Sequence, residues 1–139
     1  MHLTKNFTLE EMVYSDTAIR NNLDNVPGPD IINNLRDLCQ HVLQPVRDNL
    51  GAEIIVSSGY RSPDVNAING GAKNSQHLVG EAADIKCPTL GNAALYYAIA
   101  DYGIFDQLIW EKGDNENPDW VHISYTTKRT NRKQKLRII

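Results

Sequence analysis

The sequence lacks the long apolar segments that membrane proteins need. It has no run of about 18 apolar residues, and its N-terminus is not a basic patch followed by an apolar stretch. We therefore expect neither a membrane span nor a secretory signal peptide, and we expect synthesis in the cytoplasm. With 139 residues, 41% of them hydrophobic, one compact domain over residues 1–139 is expected.

Cysteine is scarce. The only two, Cys39 and Cys87, lie in apolar segments and do not have the spacing of metal ligands. We interpret them as a pair of buried thiols in a reducing compartment and assign them no chemistry.

Acidic residues are absent from residues 128–137, which hold six of the 14 Lys and Arg residues. The six cations are Lys128, Arg129, Arg132, Lys133, Lys135 and Arg137. We expect a positive patch on an acidic body, which would guide the protein to an anionic polymer. The alternative is an edge strand in which Leu136, Ile138 and Ile139 pack and the cations keep the sheet edge soluble. Nucleic-acid binding is not expected, because no aromatic residues alternate with these cations.

Helical signals dominate the first third of the chain. Thr8 and Glu11 form a capping box for a short opening helix, and a polar stretch follows it. After the break at residues 25–29, apolar residues recur at helical spacing from Ile31 to Leu50. This pattern predicts a long core helix that is bent or broken near Pro45.

Strand signals dominate the remainder. Short β-type runs occur at residues 54–56, 82–87, 107–111 and 119–125. A short helix is predicted to start at Ser62 and Pro63, and another covers residues 91–102 and ends at Gly103. Helices followed by strands favour an α+β domain with a sheet packed against helices.

Two histidines and an aspartate have the character of a metal site. His77 lies in a polar loop seven residues before Asp84, which is on a predicted strand, and alternation places His122 on one strand face with Trp120 and Ser124. Two histidines and one carboxylate, with a fourth position for water, are typical of catalytic zinc sites. The residue types alone leave open that these are unrelated polar residues.

Three motifs occur in order along the chain. They are Ser-Gly-Tyr-Arg-Ser-Pro at 58–63, Ser-x-His-x-x-Gly-x-Ala-x-Asp at 75–84, and Asp-x-x-His at 119–122. Over residues 5–127 the chain resembles the D-alanyl-D-alanine metallopeptidase family, zinc D-Ala-D-Ala carboxypeptidases and murein endopeptidases that share a fold with the Hedgehog signalling domain. The resemblance implies a small antiparallel-rich sheet packed against helices.

The resemblance also assigns roles to residues. It makes His77, Asp84 and His122 the ligands of a Zn²⁺ ion and Asp119 the acid that activates the metal-bound water. It makes Arg61 the cleft arginine that binds a substrate carboxylate or stabilises the oxyanion.

Other residues near the motifs are ranked below these. Ser75 and Gln76 are expected to line the cleft and bind substrate, with loop capping as the alternative. Some relatives carry a further histidine where this chain has Asn117, so oxyanion stabilisation should depend more on Arg61 and the metal. The other carboxylates considered as the base are Glu81, Asp114 and Glu116. Trp110 and Trp120 are expected to pack in the core or form a cleft wall.

The implied function is zinc-dependent hydrolysis of peptidoglycan stem peptides. It would occur either by removing a terminal D-alanine or by cleaving the stem internally, in a phage or prophage lysis setting at the cell wall. We expect a monomer whose partner is the peptide substrate. The alternative is a non-catalytic zinc-containing module that binds cell wall or protein, although Asp119 and Arg61 would have no purpose there.

Overall fold

In the computed structural model, which describes residues 1–139, most helices come first and the strands follow. The elements are α1 (Leu9–Val13), α2 (Asp16–Arg20), α3 (Pro29–Leu38), a π-helical turn (Cys39–Leu43), α4 (Gln44–Leu50), β1 (Ile55–Ser58), α5 (Pro63–Ile68), a 3-10 turn (Gln76–Val79), β2 (Ala82–Lys86), α6 (Asn92–Tyr102), β3 (Gln107–Glu111), β4 (Trp120–Ser124) and β5 (Gln134–Ile138). No helix has the length and apolarity of a transmembrane segment.

The first helix begins at the predicted capping box. The Glu11 N–H donates to the Thr8 hydroxyl (3.2 Å), and the Thr8 N–H donates to the Glu11 carboxylate (3.0 Å). The polar stretch that follows forms a helix, α2, which the sequence did not predict. The Ser15 hydroxyl caps it by accepting from the Ala18 N–H. Ala18 stands three residues after Ser15, so the Glu that completes the capping box of α1 has no counterpart in α2.

The helical run is continuous from α3 to α4, so the break predicted near Pro45 is absent, and a π-helical turn precedes that residue instead. In the π-helical turn, the Gln44 N–H donates to the Cys39 carbonyl, five residues back. Pro45 has no N–H to donate to the His41 carbonyl, four residues back. The Tyr102 hydroxyl on α6 donates to that carbonyl instead, at 2.6 Å. A contact from another helix therefore replaces the hydrogen bond that proline removes.

The five strands form one sheet in the order β1-β2-β4-β3-β5. All neighbouring pairs are antiparallel except β3 with β5. Asp84 of β2 lies opposite His122 of β4, and Ile109 of β3 lies on the other side of His122. The predicted α+β class with an antiparallel-rich sheet is confirmed, and two of the predicted ligands are cross-strand neighbours.

Alternation along the strands separates an apolar face from a polar one. The core-facing residues are Ala83, Ile85, Leu108, Trp110, Val121 and Ile123, all completely buried. They form one hydrophobic cluster with the helices, and each large side chain in it contributes about 1.5–3 kcal/mol by burial. Cys39 and Cys87 are buried free thiols, as predicted. The opposite face of the sheet carries the predicted ligands Asp84 and His122.

The basic segment ends in an edge strand. β5 pairs only with β3, so the segment forms an edge strand, as the alternative predicted. The packing predicted for its apolar residues is wrong for two of them, because Leu136 is half-buried whereas Ile138 and Ile139 are exposed. That the cations keep the edge soluble stays a prediction.

Four of the six cations in this segment have partners within the protein. Arg129 and Arg132 bind Asp106, and Lys128 Nζ donates to Asn34 Oδ1 (3.2 Å). The Arg137 guanidinium lies over the Trp110 ring, 4.0 Å from its centroid. The guiding role of the basic patch stays a prediction.

Candidate metal centre and cleft

The three residues predicted as metal ligands converge on one point of the sheet. His77 belongs to the 3-10 turn that precedes β2, and Asp84 and His122 are paired across β2 and β4. One ligand atom from each residue lies within 4.8 Å of the others. Asp84 Oδ1 is 3.1 Å from Nδ1 of His122 and 3.4 Å from Nε2 of His77.

The loop after β1 orients His77. Its Nδ1 lies 2.7 Å from the Gly59 carbonyl oxygen. Because a carbonyl can only accept, Nδ1 carries the hydrogen and Nε2 turns its lone pair toward Asp84. Glycine is required at position 59, since a Cβ there would collide with the Met12 carbonyl. The chain thus places the Gly59 carbonyl where it fixes the tautomer of a ligand.

This donor set fits a zinc ion. Imidazole nitrogens and a carboxylate oxygen are zinc ligands, and three protein ligands leave one position open for water or substrate. Three electron-pair donors that face the same space repel one another unless protons or a cation lie between them. The side chains of His77, Asp84 and His122 are also largely shielded from water, being 4%, 11% and 13% exposed. The residues present therefore suit the metal that the motifs imply.

Arg61 lies beside the metal centre. Its Nη2 is 3.0 Å from Asp84 Oδ2, and its Nε donates to the Ser58 hydroxyl (3.0 Å). Burial alone would raise the pKa of Asp84, but the imidazoles of His122 and His77 beside it outweigh burial and hold the pKa well below its ordinary range. A carboxyl group with a lowered pKa is suited to act as a metal ligand.

A cleft of about 690 Å³ lies above the three ligands. It is lined mostly by polar side chains, and Arg61, Ser75 and Gln76 are among them. Trp120 forms part of its wall while Trp110 is buried in the core, as predicted for the two tryptophans.

Ser75 and Gln76 each have a protein partner. The Ser75 hydroxyl caps the 3-10 turn by accepting from the His77 N–H (3.2 Å), which is the capping alternative. Gln76 Nε2 donates to Asp106 Oδ2 (3.1 Å). Both residues stabilise the turn that carries His77, and both remain at the cleft surface.

Asp119 is not one of the three residues of the ligand cluster. It directly precedes β4, its side chain is exposed, and it is not among the residues that line the cleft. Its backbone is fixed, because its N–H donates to the Glu111 carbonyl and its carbonyl accepts from Asn92. The other carboxylates considered as the base do not line the cleft either; they are Glu81, Asp114 and Glu116.

The cleft contains a carboxylate that the sequence analysis missed, Glu111. Glu111 lies on β3, opposite Trp120 of β4. It faces the cleft together with Ile109, which lies opposite His122. Burial raises its pKa. Alternation on β3 is the signal that could have found it, because residues 107, 109 and 111 share a face. The pairing of β3 with β4, which brings that face beside His122, is visible only in the structure.

A buried carboxylate, Asp106, holds an ion-pair cluster directly before β3, and no motif in the sequence marks it. Asp106 has no exposed side-chain surface and accepts hydrogen bonds from Arg129, Arg132 and Gln76. Burial alone would raise the pKa of Asp106, but the hydrogen bonds from the two arginines bring it well below its ordinary range.

The sequence is similar to those of known proteins. The model of the peptidase M15 family matches residues 5–124. Zinc D-Ala-D-Ala carboxypeptidase of Streptomyces albus G is 39% identical over 67 residues, which are 48% of this chain and 26% of that relative. The chain thus matches about a quarter of the length of this curated relative. Because the family match covers most of the chain and includes His77, Asp84 and His122, the chain belongs to the peptidase M15 family.

Proposed function

We propose that this protein is a zinc-dependent peptidase that hydrolyses a bond in the stem peptides of peptidoglycan. The observation that carries the proposal is the convergence of His77, Asp84 and His122 on one point at the floor of a polar cleft. Membership of a peptidase family and partial similarity to a zinc D-Ala-D-Ala carboxypeptidase support the reaction class.

The chemistry divides between the metal and the protein. Zinc, when bound, polarises the scissile carbonyl and lowers the pKa of a water molecule to about 7. Arg61 supplies positive charge where an oxyanion develops. A carboxylate accepts a proton during the attack and delivers it to the leaving amine. Family resemblance gives this task to Asp119, and Glu111 is the competing group because it lines the cleft.

Two reactions fit this site, and their products distinguish them. Removal of a terminal D-alanine releases single alanines from the wall, whereas internal cleavage releases whole stem peptides. Mass spectrometry of digested peptidoglycan separates the two, and the second product would agree with a lytic role in a phage or prophage. No product from wall material of several chemotypes would instead favour a binding module.

The first prediction is the metal content. The purified protein should contain about one zinc per chain, because three ligands and one water complete a tetrahedral site. A variant with both His77→Ala and His122→Ala should lose the metal. The matched control is His2→Ala, which removes an exposed histidine outside the site. Metal-free protein after growth in zinc-replete medium, or full zinc retention by the double variant, would contradict the site.

A further inference from the structure

The cation nearest the metal centre is already engaged by the protein. Arg61 donates from Nη2 to Asp84 and from Nε to Ser58. Its charge is therefore largely balanced within the site. A peptide also carries carboxylate groups of its own, and binding one of them requires a cation whose N–H groups are accessible, whereas the Arg61 side chain is only 15% exposed.

Arg132 meets that requirement. It lines the same cleft, and its side chain is 48% exposed. Its Nε and Nη2 donate to Asp106, while its Nη1 has no acceptor in the protein. The guanidinium edge formed by Nε and Nη2 is therefore fixed, and Nη1, with its two N–H donors, remains for a ligand.

The buried carboxylate of Asp106 fixes the position of Arg132. The Arg132 backbone N–H also donates to Asp106 Oδ1 (2.9 Å), so side chain and backbone are both fixed by one buried carboxylate. Arg129 binds the same carboxylate but does not line the cleft. The negative charge of Glu81 also raises the pKa of Arg129. An arginine fixed in advance loses less rotamer entropy when it binds a ligand.

Arg132 and Glu111 are held near opposite ends of β3. Asp106, which binds Arg132, directly precedes β3, and Glu111 is the last residue of β3. Ile109, which lies between them along the strand, pairs with His122 of β4. Ile109 is three residues from Asp106 and two from Glu111, which are about 10 Å and about 6.6 Å along an extended strand. Lys112 directly follows Glu111 and also lines the cleft, so that end carries both charges, whereas Arg132 lines the cleft near the other end.

We propose that Arg132, positioned by Asp106, binds a carboxylate of the peptide substrate and sets the direction in which the peptide lies across the metal centre. The inference rests on the proposed function and deepens it. The carboxylate comes either from the C-terminus of the peptide or from an acidic residue within it. Both sources present the same planar group to the guanidinium.

The test compares Arg132→Gln with the wild-type zinc-containing protein on three synthetic stem-type peptides. The first has a free C-terminus and an internal acidic residue, the second is amidated at the C-terminus, and the third has the internal acid replaced by its amide. We expect Arg132→Gln to raise KM for the first peptide about 10- to 100-fold, with a much smaller change in kcat. The amidation that abolishes this effect identifies the carboxylate that Arg132 binds.

Arg129→Gln is the matched control, because it removes the other ion pair of Asp106 without changing the cleft lining. It should lower the melting temperature and leave KM unchanged. Arg132→Lys should raise KM less than Arg132→Gln, and it serves as the test variant if Arg132→Gln does not fold. An equal rise in KM for all three peptides, or the same rise in Arg129→Gln, would overturn the proposal.

Calorimetric titration of the three peptides separates this inference from the proposed function. If the wild type hydrolyses no peptide but binds the first more tightly than an amidated one, in a manner that needs Arg132, the peptidase function fails and the inference stands. If the wild type hydrolyses all three equally and Arg132→Gln binds them as the wild type does, the inference alone fails.

Discussion

Asp84 shows how one side chain at the site serves several partners. Its Oδ1 faces both histidines, and its Oδ2 accepts from Arg61. The two oxygens therefore divide their tasks, one directed to the metal position and the other to the guanidinium that flanks it. Loss of this carboxylate would remove a ligand and also leave Arg61 without the partner that holds it in the cleft.

Asp119 and Glu111 are the two candidates for the proton acceptor. We predict that Asp119→Asn keeps zinc and fold but lowers the hydrolysis rate about 10²- to 10⁴-fold, because an amide cannot accept the proton. Glu111→Gln should lower the rate less than about tenfold, as expected for a carboxylate that only shapes the cleft. The measurement is kcat on one peptide, with zinc content determined for each variant.

The opposite ranking would move the role to Glu111. Glu111 is the alternative because it lines the cleft, which Asp119 does not. Glu81→Gln is the matched control, because its carboxylate accepts from the Thr126 hydroxyl and does not line the cleft. Near-normal turnover in both test variants would contradict a carboxylate base at either position.

At the scale of the elements, the contact between α6 and the irregular helix can be tested alone. Tyr102→Phe removes the hydroxyl that donates to the His41 carbonyl and changes little else. We predict that it lowers the free energy of unfolding by about 0.5–1.5 kcal/mol, the usual net contribution of one hydrogen bond. Urea denaturation monitored by circular dichroism measures this difference.

Tyr14→Phe is the matched control, since the Tyr14 hydroxyl donates to Asp16 at an exposed position. It should leave stability unchanged within error. If Tyr102→Phe were equally neutral, water would satisfy the His41 carbonyl as well as Tyr102 does. The hydrogen bond from α6 would then add nothing to the stability of the π-helical turn.

Elements with a local signal could be predicted from the sequence. The capping box of α1, the Ser62 cap of α5 and the glycine that ends α6 each depend on neighbouring residues, and the structure confirms all three. Helix α2 has the same length as α1 but was missed, because Ala18 stands three residues after its cap, Ser15, and no capping box is present. Local chemistry therefore predicts a short helix only where the capping residues are complete.

Across the whole molecule, the metal ligands could be predicted from the sequence, whereas the ion-pair cluster could not. The ligands lie in motifs whose spacing is recognisable. The cluster joins Gln76, Asp106, Arg129 and Arg132, which meet only because β5 returns to pair with β3. A run of basic residues was visible in the sequence, but its buried partner was not, because nothing near Asp106 in the chain marks it as their acceptor.

The same cluster predicts how stability depends on pH. Folding lowers the pKa of Asp106, so its ionised form favours the folded state above the ordinary carboxyl pKa of about 4, and this contribution declines as the pH falls below that value. Asp106→Asn should therefore lower the free energy of unfolding by about 1–3 kcal/mol at pH 7. The difference from the wild type should shrink as the pH is lowered from about 5 to about 2.

Urea denaturation at a series of pH values measures this dependence, and Asp101→Asn, which changes an exposed carboxylate, is the matched control. The control should follow the wild type at every pH. A deficit in Asp106→Asn that stayed constant down to pH 2 would mean that the variant loses packing rather than an ionised partner of Arg129 and Arg132. In that case the amide fails at position 106 for reasons of shape, and the charge of Asp106 contributes little to holding the last strand against the sheet.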